Sequence, residues 1–328
     1  MKCFAWLWLV LAAQFPTVGE YEKRKAAPVA AVDGAPVFRV ETRVVNVTFS
    51  AMDEDGRPLA DLKREELTLL EDGVKQELRY FSRESDAPLT MGIIVDLSGS
   101  QKGLFRKNKR AALEFLRQLL KPQDKVFIVT FGEGMRLVQD ETSSLKDIEA
   151  TFSDWDDAFE DSPLWSKRTG SPVFTSLMQS VKRKLAKRSG RKAILMISDG
   201  LDTRSTDSAE DVTEKLQTAD TVVYWMKTPN MQAGNNHGGL GRVFEKMDAN
   251  RKTRGMRKVA EQTGGRVFED ESLGEQFKQI EVELRTLYSV GFAPAREADG
   301  RVHKLDLKVE RKRVRVRSKP EYRDEPAL

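Results

Sequence analysis

Between residues 91 and 285 the chain alternates short apolar runs with stretches of helical period, and no other feature limits its fold as strongly. Ile93, Ile94 and Val95 are followed by a helical pattern over residues 104–120. Residues 126–129 are the next apolar run. A helix over 173–186 precedes the run 193–197, and one over 209–218 precedes 222–225. Helices over 254–263 and 272–285 bracket Arg266, Val267 and Phe268. Near-continuous apolar runs predict strands buried on both faces. Strands that alternate with helices predict an α/β fold: a doubly wound, mostly parallel sheet with helices on both sides.

The flanks read differently. Val45, Val47, Phe49 and Ala51 alternate with polar residues, and Asp55-Gly56 and Asp72-Gly73 are turn signals, the second a strong two-residue hairpin. Near the other end, Leu305, Leu307 and Val309 alternate with Lys304, Asp306 and Lys308, which predicts a half-buried strand with a basic outer face. Neither flank alone makes a convincing core. The two are expected to pair into one small β-sandwich, with the α/β unit inserted between them. The expected divisions are a signal peptide at 1–19, a linker at 20–36, an N-terminal β segment at 37–86, the α/β unit at 87–286 and a C-terminal β segment at 287–323.

Lys2 followed by the apolar run 4–13, with small residues ending at Gly19, fits a secretory signal cleaved near Gly19. The run is too short to span a membrane, so no stable span is expected after cleavage and the mature chain is expected to be secreted or periplasmic. Cys3 is the sole cysteine among 328 residues. A mature chain without it excludes disulfides, Cys-ligated zinc and Cys nucleophiles. His237 and His303, the two histidines, are read as surface residues. Charged residues are 32% of the chain, yet the net charge is only +4. That balance speaks against nucleic acid as a partner. Asn46-Val47-Thr48 matches a glycosylation sequon but falls inside a strand pattern.

The run from Met91 ends in Asp96, Ser98 and Ser100. Alternate residues of a strand bending into a loop can turn three oxygens toward one point. A carboxylate with two hydroxyls suits Mg²⁺ or Ca²⁺ better than zinc. The same residues could equally cap the helix that follows. Asp199-Gly200 ends a second apolar run, and ligands of parallel sheets bind at the carboxyl ends of strands.

Asp96, Ser98 and Ser100, the Thr169-Gly170-Ser171 segment and Asp199-Gly200 together resemble the von Willebrand factor type A family and its metal-ion-dependent adhesion site. The resemblance spans roughly residues 90–285. It implies Asp96, Ser98, Ser100, Ser171 and Asp199 as metal residues, with Mg²⁺ (or Mn²⁺ or Ca²⁺) as the ion. Ser171 stands where the family has Thr. The hydroxyl is kept and the methyl that stiffens the rotamer is lost; Thr175 is the substitute one helical turn on. The mature chain also resembles a secreted acidobacterial group with a related type A domain. Val44 to Val47, Asp55-Gly56-Arg57-Pro58, Glu71-Asp72-Gly73 and the closing Tyr288 to Phe292 carry that likeness, while the Arg317 to Tyr322 ending departs slightly from its pattern.

What the resemblance implies is a protein-binding module that grips a partner's Asp or Glu through the metal. Two segments could frame that partner: an acidic loop over 154–170 with Trp155, Phe159 and Trp165, and a Gly/Asn-rich loop over 229–241. The alternatives are a metal-free scaffold of the same fold and a phosphatase-like hydrolase. Against the hydrolase, Ser98 stands where a dehalogenase-type phosphatase needs a second Asp, and no Gly-x-Ser-x-Gly elbow or phosphate-cradling loop occurs. The expectation is therefore not an enzyme.

Overall fold

The computed structural model describes residues 43–84, 87–98, 101, 105–132, 134–159, 170–229, 250–269 and 272–324. The expected signal and linker, Ser100, Trp165 and His237 lie outside them, as do the side chains of Trp155 and Phe159.

Among the described residues four strands come first: β1 (Val45–Met52), β2 (Leu67–Glu71), β3 (Val74–Lys75) and β4 (Leu78–Arg83). Asp72 and Gly73 both have positive φ, 49° and 85°. That is the backbone a two-residue hairpin between β2 and β3 requires. The central strands follow: β5 (Leu89–Asp96), β6 (Lys125–Phe131), β7 (Met135–Thr142), β8 (Arg191–Ser198), β9 (Thr221–Lys227) and β10 (Arg266–Phe268). Between and after them run α1 (Phe105–Leu119), α2 (Leu145–Phe159), α3 (Val173–Ser180), α4 (Ala209–Thr218), α5 (Arg254–Gln262) and α6 (Leu273–Arg285). The described residues end with β11 (Tyr288–Phe292), β12 (Val302–Val309), β13 (Arg315–Ser318) and β14 (Glu321–Arg323).

The central sheet has the order β10-β9-β8-β5-β6-β7. Its strands are parallel except β7, which runs antiparallel to β6 at the edge. All of β5 is buried, and its alternation sends side chains into two separate cores. Met91, Ile93 and Val95 pack with Ala112, Phe115 and Leu116 of α1, Ile148 and Phe152 of α2, and Phe277, Ile280 and Leu284 of α6. Ile94 faces the other way, into a core with Val173 and Leu177 of α3, Val212 and Leu216 of α4, and Met256 and Val259 of α5. Each such side chain withdrawn from water contributes roughly 1.5–3 kcal/mol before chain entropy is charged. Gly92 lies on the second face because the Phe127 ring packs onto it: an added Cβ would come within 2.5 Å of the ring. The doubly wound sheet expected from the sequence is the one observed.

The flanking strands pair across the length of the chain. One antiparallel sheet has the order β13-β1-β11-β4 and another β14-β12-β2-β3. Val47 lies opposite Val290 and Phe49 opposite Tyr288, while Leu69 lies opposite Leu307. The two sheets share one core, with Val47, Phe49, Leu69, Val290 and Phe292 at its centre. Tyr288 stacks between Phe49 and Phe81, at 5.4 Å from each ring, and its hydroxyl donates to the Leu59 carbonyl at 2.8 Å. The strand at 302–309 alternates as expected, with Leu305 and Leu307 buried and Lys304, Asp306 and Lys308 exposed.

Three expectations need correction. Residues 154–159 belong to the end of α2 and not to a loop. The helix that opens at Val173 changes at Val181 to a π-turn, in which Ala186 N–H reaches back to the Val181 carbonyl. His303 is buried, not a surface residue. Its Nδ1 lies 2.6 Å from Asp72 Oδ2 and its Nε2 3.0 Å from Asp299 Oδ1. Asn46 stands in β1, its amide oxygen accepting from Tyr80 and Ser289 and its amide nitrogen donating to Asp220. A side chain so engaged within a strand is poorly placed for glycosylation.

Candidate metal centre at the carboxyl end of the central sheet

Asp96 is the last residue of β5, and Asp199 is the first residue beyond β8, the strand beside it. The β5–β8 register, Val95 opposite Ile197, brings both carboxylates to one sheet end. Both are buried, each 3% exposed. The chain leaves β5 with Leu97 N–H bonded to the Phe131 carbonyl of β6 and a turn closed by Gln101 N–H on the Ser98 carbonyl. This holds Ser98, also buried, against the same end.

Asp96 Oδ1 accepts from Ser98 N–H at 2.8 Å, and Oδ2 accepts from the Ser198 hydroxyl at 2.7 Å. Ser198 Oγ in turn accepts from Gly200 N–H at 2.9 Å. Burial and then the Asp199 carboxylate push Asp96 up to about 6, against the lowering by Ser98 and Ser198. Asp199 Oδ1 accepts from Leu201 N–H at 3.1 Å. Asp199 Oδ2 is buried and has no hydrogen-bond partner among the described residues. A buried carboxylate oxygen without a donor costs free energy unless a cation or water meets it.

Ser171 reaches this end through the loop after Asp199. Its N–H donates to Thr203 Oγ1 at 2.8 Å, and Thr203 N–H donates to its carbonyl at 3.0 Å. Pro172 precedes α3 and offers no side-chain cap. Asp202 caps from outside, its Oδ1 accepting from Val173 N–H at 2.8 Å. Thr175 is committed elsewhere: its hydroxyl donates to Asp207 Oδ2 at 2.8 Å and accepts from Thr206 N–H. Of the metal residues the sequence suggests, the structure therefore brings Asp96, Ser98, Ser171 and Asp199 to one end of the sheet, while Ser100 lies outside the described residues.

Gly200 carries a φ of +75°. A Cβ there would fall 2.1 Å from the Trp225 ring. Trp225 Nε1 donates to the Ser198 carbonyl at 2.9 Å. The Asp-Gly pair is thus set both by the turn and by the indole beneath it.

The sequence reading misses Ser198, Asp202 and Thr203. Ser198 sits one place before the Asp-Gly signal inside an apolar run, and only the register shows that it faces Asp96. A second group, Asp299, His303 and Asp324, gathers ligand atoms within 4.8 Å of one another. Asp324 is already paired with Arg43 at 2.7 Å and Arg296 at 3.3 Å, however. Cations already occupy the place a metal would take, so this group reads as a structural knot.

No family model matches the chain, and none of the curated proteins does. Solved structures give distant likenesses. An aerotolerance-related membrane protein from Bacteroides fragilis, with multiple mutations to serines, is 17% identical with a TM-score of 0.44, over 60% of this chain and 98% of that one. BatB from Bacteroides thetaiotaomicron is 16% identical with a TM-score of 0.42, over 60% and 97%. The SpRpn10 VWA domain is 13% identical with a TM-score of 0.37, over 60% and 97%. At that distance the fold is assigned on the chain's own topology. The mostly parallel central sheet, with helices packed on both faces, agrees with the fold that the type A resemblance implies. No helix among the described residues is long and apolar enough to cross a membrane.

Proposed function

We propose that the carboxyl end of the central sheet is a divalent-cation site through which the protein binds an acidic group of a partner protein outside the cytoplasm. The observation that carries this is Asp199 Oδ2, without a hydrogen-bond partner among the described residues and buried beside a second buried carboxylate, Asp96. Two such groups are costly together without a cation. Asp96, Ser98, Ser100, Ser171 and Asp199 would hold the ion, an all-oxygen set suited to Mg²⁺, Mn²⁺ or Ca²⁺. The ion would supply a Lewis-acidic position for one further oxygen, from an Asp or Glu of the partner. Among the described residues of the site no nucleophile–base pair is seen, and binding rather than catalysis is the function proposed.

A metal-free scaffold is the second reading. It is favoured by Asp96 having both oxygens satisfied by Ser98 and Ser198. The two separate in a capture experiment on envelope extract, run in Mg²⁺ and in chelator with wild type and Asp96→Ala. Metal binding predicts capture that depends on Mg²⁺ and is lost in the variant. Capture indifferent to both supports the scaffold.

A further inference from the structure

A second feature lies away from the Asp96 and Asp199 carboxylates, where the turn after β1 meets the start of β10. A cleft of about 500 Å³ opens between the turn after β1 and a wall made by β10, α6 and β13. That volume lies within the range of small-ligand pockets. On the wall is an unusual charge arrangement. Glu283, fully buried, takes two guanidinium groups: Arg266 Nε and Arg317 Nη1 each lie 3.0 Å from its Oε1. One carboxylate facing two cations leaves a net positive charge in a partly desolvated place, where it is felt more strongly than at the surface.

Lys278 and Arg315 line the same cleft, are exposed, and pair with no carboxylate among the described residues. Across the cleft, two of the three acidic residues of the turn are neutralised by arginines, and Asp53 keeps its charge. Asp55 pairs with Arg57, Glu54 with Arg313 at 3.0 Å, and Asp53 Oδ1 accepts from Arg57 N–H at 2.8 Å. The wall of the cleft therefore presents more positive charge than its own carboxylates neutralise. Arginine forks and a lysine ammonium converging on one concave surface are the donor set that recognises oxyanions.

We infer that this cleft binds a small oxyanion, the phosphate or carboxylate group of a low-molecular-weight ligand, between Lys278, Arg315 and the Arg266–Glu283–Arg317 cluster. Such a ligand bridges the turn after β1 to α6 and so stiffens the junction between the sandwich strands and the central sheet. The site is independent of the one at Asp96.

The test is thermal denaturation of the full chain titrated with inorganic phosphate, and separately with succinate, against chloride at matched ionic strength. The double variant Lys278→Ala, Arg315→Ala serves as the comparison. Both side chains are exposed, so the variant retains the fold. A saturable rise in Tm with phosphate or with succinate, beyond chloride, is expected, and the more effective anion identifies the source of the oxyanion. In the double variant the apparent affinity should fall about tenfold or more, as expected for loss of two charge-assisted contacts. No rise beyond chloride, or a rise unchanged in the variant, overturns the inference.

Discussion

The Ser198 hydroxyl donates to Asp96 Oδ2 at 2.7 Å and so ties the ends of two neighbouring parallel strands together. The same oxygen accepts from Gly200 N–H. A single side chain thus fixes both the first carboxylate and the turn that presents the second. Ser198→Ala removes a donor from one buried group and an acceptor from another. The expected cost is about 1–3 kcal/mol of folding stability, read by urea denaturation. A loss within a few tenths would show that water replaces the hydroxyl.

Without a cation, Asp96 and Asp199 oppose each other in a buried place. Removing one charge should relieve the fold while spoiling the site. Asp199→Asn in chelator is expected to melt at or above wild type, by on the order of 1 kcal/mol or roughly 2–4 °C. A marked loss of stability would mean that the carboxylate is needed for the turn itself.

Gly200 cannot be replaced quietly. Gly200→Ala meets both a left-handed backbone and the Trp225 ring. Roughly 2–4 kcal/mol of destabilisation is expected, the sum of a backbone penalty and overpacking. Near-ultraviolet circular dichroism of Trp225 should change with it. An unchanged signal and melting point would contradict the described packing.

His303 gives the stability a pH dependence. Burial alone would lower its pKa, but hydrogen bonds to Asp299 and Asp72 outweigh that and raise it. A raised histidine stabilises fully below its unfolded value, about 6.5, and the contribution fades as pH rises through the folded value. Asp72 and Asp299 are lowered, mainly by the same histidine. Their contribution holds above about 3.9 and fades as pH falls through their folded values. The knot is therefore strongest between roughly pH 4 and 6.5. Denaturation at pH 5.5, 7.0 and 8.5 should show wild type losing stability across the series and His303→Gln losing less. Equal slopes would rule His303 out as the cause.

The central sheet is legible in the sequence because its strands are buried on both faces and read as unbroken apolar runs. β7 is not. It lies at the sheet edge with Arg136 and Leu137 exposed, and an edge strand has no reason to be apolar. The start of α2 is obscured by polar residues, so its end is mistaken for a loop. His303 misleads for a different reason. A lone histidine at a strand start carries no signal that Asp72, 231 residues away in sequence, will meet it. At the site, Asp96, Ser98 and Asp199 are found from their positions at strand ends. Ser198 and Asp202 act only through register and loop contact, which no local pattern records.

The central claim is that Asp96 and Asp199 hold a divalent cation. Calorimetric titration of the purified protein with Mn²⁺, with Mg²⁺ as competitor, tests it most directly, using Asp199→Asn as the control. The account predicts one saturable site in wild type, displaced by Mg²⁺ and absent from the variant. No binding at millimolar metal, or binding that survives the loss of Asp199, would contradict it.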